Sequence, residues 1–60
     1  MGRYEVWDHG RLVCSCDDRD DAYHAYNVAV NRAEKNKSRG TIELLDNDSI
    51  DFVKASYYVI

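Results

Sequence analysis

Cysteine and histidine are the side chains with the widest chemistry, and this chain has two of each: Cys14, Cys16, His9 and His24. Zinc takes four ligands from cysteine, histidine and carboxylate, so a metal site is the first reading to test. The spacing argues against it. A zinc knuckle separates its cysteines by two residues in a tight turn, whereas Cys14-Ser15-Cys16 falls in an alternating, strand-like segment. There both thiols share one face, too far apart for an unstrained disulfide. His9 falls on a loop and His24 on the outer flank of a helix, so the four groups do not converge. The thiols read as small buried apolar groups in a reducing compartment, and neither a metal nor a cofactor is expected.

The acids Asp17, Asp18, Asp20 and Asp21 could hold a cation or imitate a phosphate backbone. A calcium loop needs a fixed alternation of oxygen ligands, a glycine and a distal glutamate, and the run has none of these. A net charge of −3 is small for a nucleic-acid mimic. Helix capping and solvation account for the cluster. His24 lies four residues after Asp20, a pairing that could serve a general base, yet no nucleophile or second acid is fixed beside it. Three scattered glycines make neither a phosphate loop nor a nucleophile elbow. The chain reads as non-enzymatic.

Two further groups point to binding. Arg32, Lys35, Lys37 and Arg39, opposed by Glu34, give a local charge of +3, enough for a weak, salt-sensitive nucleic-acid contact. Trp7 between Arg3 and Arg11 could stack an unpaired base, as sheet-platform RNA binders do, or pair with Arg11 as a cation–π contact. The ending Tyr57-Tyr58-Val59-Ile60 is apolar or aromatic throughout. In a strand two of these four must point away from any core, and exposed aromatic patches commonly mark partner surfaces.

The elements that must position these residues follow from the patterning. Arg3–Trp7 and Arg11–Cys16 alternate on either side of Asp8-His9-Gly10, a hairpin signal. A two-residue loop, His9-Gly10, pairs Trp7 with Leu12 and sets Tyr4 and Val6 on the face opposite Leu12, Cys14 and Cys16. A three-residue loop pairs Val6 with Leu12 and Tyr4 with Cys14. The second register gathers Tyr4, Val6, Leu12, Cys14 and Cys16 on one buried face and leaves Arg3, Glu5, Trp7, Arg11, Val13 and Ser15 outside, so it is the one we read.

Asp17 or Asp18 can cap the helix that follows, with acids in its first turn and bases in its last, as the macrodipole favours. Its apolar stripe is Ala22, Ala25, Tyr26, Ala29, Val30 and Ala33, with Gly40 able to end or follow it. Thr41–Leu45 reads as a third strand and Asp46–Ser49 as a turn. For Ile50–Ile60 two readings compete. One is a hairpin partner of the third strand that includes Ile50 and Phe52; the other is a short helical turn through Ala55 followed by a strand from Tyr57. We read the hairpin. The expectation is an α+β fold of order ββαββ over residues 1–60, an antiparallel sheet of three to four strands with one helix on one face.

A 60-residue chain buries only roughly 60% of the surface its unfolded form exposes, too little for a core and a deep closed pocket together. No segment is apolar enough to span a membrane, and the N-terminus lacks the apolar stretch of a secretion signal, so a cytoplasmic location is expected. In kind, a small acidic ββαββ protein resembles those that bacteriophages make to bind and inhibit a host enzyme or defence complex; the resemblance rests on size and architecture and carries no site residues. The expected function is a non-enzymatic inhibitor or adaptor that docks on a larger protein, with a homodimer as a competing use of the same surface. Its binding residues would be Trp7, Arg11, Val13, Tyr57, Tyr58 and Ile60, with Asp17, Asp18, Asp20 and Asp21 as an electrostatic guide. The alternative is a sheet-face binder of single-stranded RNA or DNA through Trp7, Arg3 and Arg11.

Overall fold

The structure is a computed structural model that describes residues 2–60. It has the ββαββ order: β1 (Tyr4–Asp8), β2 (Arg11–Cys16), α1 (Arg19–Asn36), β3 (Gly40–Asp46) and β4 (Val53–Val59). The strands form one antiparallel sheet in the order β2-β1-β3-β4, an α+β fold. Because β2 and β3 both run antiparallel to β1, they run parallel to each other, and α1 is the crossover that carries the chain over β1 from one to the other. Eighteen helical residues give about 27 Å, enough for that crossing.

Asp18 caps α1, its side chain accepting from the backbone N–H groups of Asp20 and Asp21. At the other end Lys37, not Gly40, takes the left-handed position (φ 51°), and the Ser38 N–H donates back to the Ala33 carbonyl. The helix therefore closes three residues earlier than the glycine suggested. Its buried face is Ala22, Ala29 and Ala33, with Ala25, Tyr26 and Val30 packed beside them. Methyl-sized side chains let the helix lie close over Val6, Ile42 and Leu44, which are wholly buried, and over Tyr4 and Val59. Val6, Ile42 and Leu44 each contribute about 1.5–3 kcal/mol by leaving water.

The β1–β2 register corrects the expectation at the turn and restores it beyond. His9 (φ 55°) and Gly10 (φ 78°) form a two-residue loop, the positive-φ pair that matches strand twist, so Asp8 faces Arg11 and Trp7 faces Leu12. Between Val6 and Trp7 the register then shifts, and Val6 faces Cys14 while Tyr4 faces Cys16. Val13 is the extra residue of a β-bulge. Both thiols thus join the helix side with Tyr4 and Val6, as expected, but Leu12 is turned to the outer face and is 41% exposed. Arg11 and Val13 move the other way, from the expected outer face to the helix side.

The last segment is a hairpin on β3, but it begins at Val53, without a helical turn. Ile50 and Phe52 belong to the preceding loop, where the Asp46 side chain accepts from the Asp48 N–H and the Phe52 carbonyl accepts from the Asp46 N–H. Four residues of turn-forming type preceding Ile50 favour this wider loop over strand extension.

A chain of this length has about 3–9 kcal/mol of total stability at typical values per residue. Leu44→Ala should cost about 2–5 kcal/mol and remove most of the cooperative urea transition. Leu12→Ala should stay within about 0.5 kcal/mol of the parent. Matching losses in the two variants would mean that Leu12 is in the core and the bulge is misplaced.

Candidate interaction surfaces

With α1 on one side, the other face of the sheet is uncovered. Two rows cross it. Leu12, Trp7, Glu43 and Ser56 form one, and Ser15, Glu5, Leu45 and Val53 the other; Thr41 and Tyr58 lie beyond the first. Leu12, Val53 and Tyr58 are exposed, Tyr58 at 57%. Trp7 and Leu45 are half-buried with no layer above them. Glu5, by contrast, is buried on this open face, and its carboxylate accepts from the Trp7 indole Nε1–H at 3.0 Å. The indole lies over a neighbour two residues back on the same strand face, so the carboxylate keeps a partner while losing water. Sequence reasoning passed over Glu5, although the i, i+2 spacing in a strand carried the signal.

The six residues expected to bind a partner are divided between the two sides of the sheet. Trp7 and Tyr58 share the outer face. Arg11 and Val13 line a groove against α1. Tyr57 also points to the helix side, where its hydroxyl donates to the Glu34 carboxylate; that acceptor holds the phenol above its ordinary pKa. Ile60 follows the end of β4 and is exposed. Leu12, Leu45 and Val53 complete the outer patch: the two-residue turn sets Leu12 there, alternation with Glu43 sets Leu45, and the β3–β4 bulge, invisible in the alternation, sets Val53.

The charged residues are mostly committed. Asp17 accepts from the Arg3 backbone N–H, Asp18 is the cap, and Asp20 and Asp21 fill the first helical turn. Arg3 does not flank Trp7: its guanidinium donates from Nε to Asp46 at 2.9 Å and lies over the Tyr4 ring. That hydrogen bond, together with the Asp48 N–H, holds the Asp46 carboxyl below its usual range against the cost of burial. The second cation–π contact joins Arg19 to Tyr23, not Arg11 to Trp7. No ion pair joins His24 to Asp20 among the described residues.

His9 does more than shape the turn. Its Nδ1 bonds the Asp8 carboxylate, its Nε2 approaches the Ser38 carbonyl at 3.2 Å, and its backbone N–H donates to the Thr41 carbonyl. The β1–β2 turn is thereby tied to the chain leaving α1. Gly40 (φ 153°) permits the approach, because a Cβ there would run into the imidazole. The Asp8 carboxylate, then the Ser38 carbonyl, favour the charged imidazolium and raise its pKa. The thiols of Cys14 and Cys16 lie 3.9 Å apart and unbridged, burial pushing the Cys16 thiol up. No cluster of three metal-ligating side chains occurs among the described residues, and no helix there is long and apolar enough to cross a membrane. No protein-family model, curated protein or solved structure matches this chain.

The two ionic ties give stability opposite pH signatures. The His9 contribution is complete below the ordinary histidine value of about 6.5 and fades as pH rises through the raised folded value. The Asp46 contribution is complete above the ordinary value of about 3.9 and fades as pH falls through the lowered folded value. Urea unfolding across pH should therefore show a decline on the alkaline side of 6.5 that His9→Gln flattens, and an acid decline that Asp46→Asn flattens. A neutral-range decline of equal size in His9→Gln would assign it to another group.

Proposed function

We propose that this chain is a non-enzymatic protein-binding module, a small inhibitor or adaptor that docks on a larger protein through the uncovered face of its sheet. The observation that carries this reading is the set Trp7, Leu12, Leu45, Val53 and Tyr58, spread over all four strands with no second layer above them. Tryptophan and tyrosine bring large apolar area with a polar tip and little side-chain entropy to lose, which suits them to anchoring a contact. Glu43 on the same face would select a partner with complementary basic or hydrogen-bond-donating groups. The two free thiols support action in a reducing compartment such as the cytoplasm.

The binding of single-stranded nucleic acid would need cations beside the indole. Arg3 is held by Asp46, Arg11 lies on the helix side, and the ladder neighbours of Trp7 on the outer face are Leu12 and Glu43. Protein docking is therefore the reading we adopt. The open edge of β4 supports a second use of the same region, pairing with another copy of the chain.

Truncation before Tyr57 would remove buried Val59 and the Tyr57–Glu34 bond, so exposed substitutions make the cleaner test. Leu12→Lys with Tyr58→Lys should leave the circular dichroism of the fold unchanged and reduce recovery of a specific partner from lysate by about tenfold or more. Lys35→Ala, exposed on α1 and outside both hollows, should recover it at the parent level. Equal recovery by the outer-face double variant would overturn the reading. Sedimentation equilibrium of the parent, with mass rising with concentration only while the β4 edge is unsubstituted, identifies self-pairing.

A further inference from the structure

On the helix side of the sheet, two arginines from distant parts of the chain border one hollow without being neutralised. Arg11 opens β2 and Arg32 lies on the exposed flank of α1; with Asp8, His9 and Val13 they line a groove of about 330 Å³. The groove continues into a second hollow of about 290 Å³ whose floor is apolar: Val13, Ala25, Val28 and Ala29, with His24 at its side. Arg32 lines both. Neither Arg11 nor Arg32 makes an ion pair among the described residues, where Arg3 and His9 supply every salt bridge. Asp8 is the one carboxylate among the lining residues, and it is already engaged by the His9 imidazole.

Guanidinium groups stay charged at any physiological pH and present planar donor forks that match the oxygens of a phosphate group. Two of them beside one hollow give it net positive character, and the adjoining apolar strip can take a compact ring. The volumes, about 290 and 330 Å³, lie at the lower limit of ligand pockets, room for a compact ligand only. We propose that this groove binds an organic phosphate monoester, the phosphate between Arg11 and Arg32 and the apolar body along Val13, Ala25 and Val28. The groove lies across the sheet from the Trp7–Tyr58 face, so the proposal rests on different residues from docking through that outer face. A nucleoside monophosphate and a phosphorylated tyrosine side chain share this chemistry.

The test is an amide chemical-shift titration of the full chain with adenosine monophosphate, phenyl phosphate, inorganic phosphate and neutral benzyl alcohol. At least one ester should give saturable shifts at Arg11, Val13, Val28 and Arg32, tighter than inorganic phosphate, with no saturable response to benzyl alcohol. Arg11→Ala and Arg32→Ala should each weaken the ester by about tenfold or more, and Arg32→Lys by less, because lysine keeps the charge and loses the fork. Saturation by the nucleotide alone identifies a nucleotide site, and saturation by phenyl phosphate alone a phosphotyrosine-type site. Absence of saturation by either ester at millimolar concentration, or undiminished binding in the Arg11→Ala/Arg32→Ala double variant, overturns the proposal.

Discussion

The packing of one alanine-lined helix face on Val6, Ile42 and Leu44 governs the rest of this molecule. Ala22, Ala29 and Ala33 bring α1 close to the sheet, and the helix is long enough to cross it once. A chain of 60 residues cannot supply a second such layer. One sheet face is consequently a core and the other is a surface, although both are built from strands with apolar side chains. The C-terminal strand shows the division within four residues: Tyr57 and Val59 serve the helix side, Tyr58 faces outward, and Ile60 lies past the ladder.

Electrostatics is organised around holding this single layer together. Asp18 terminates the N-terminal end of the helix, and the acids beside it are placed where the helix dipole favours them. Arg3 ties the start of β1 to Asp46 at the end of β3, and His9 ties the β1–β2 turn to the chain leaving the helix. These commitments remove from circulation several groups that looked available for binding. Among the groups left free are Arg11 and Arg32 on the helix side, while on the outer face the buried Glu5 carboxylate is served by the Trp7 indole.

The parts of the fold set by local pattern were legible in the sequence. The helix stripe, its acidic cap, the order ββαββ and the turn after Asp46 depend on spacings of a few residues, and each is found. The failures arise where one backbone decision resets everything after it. His9 and Gly10 both adopt positive φ, which shortens the loop, and the bulge at Val13 reverses the alternation again, so Leu12, Arg11 and Val13 exchange faces while Cys14 and Cys16 do not. Lys37 similarly closes the helix in a conformation usually given to glycine, and its composition offers no hint of it. That Arg11 and Arg32 line one groove is a tertiary outcome, produced by the crossover of α1, and no local window contains it.

Under the proposed function, a partner docks on the uncovered sheet face. Hydroxyl-radical footprinting of the chain alone and in complex with a captured partner tests it residue by residue. Docking on this face predicts protection concentrated at Trp7, Leu12, Leu45 and Tyr58, with Val28 on the helix flank unchanged. Protection confined to Val28 and its helix neighbours, with Leu12 and Tyr58 as reactive as in the free chain, would contradict it.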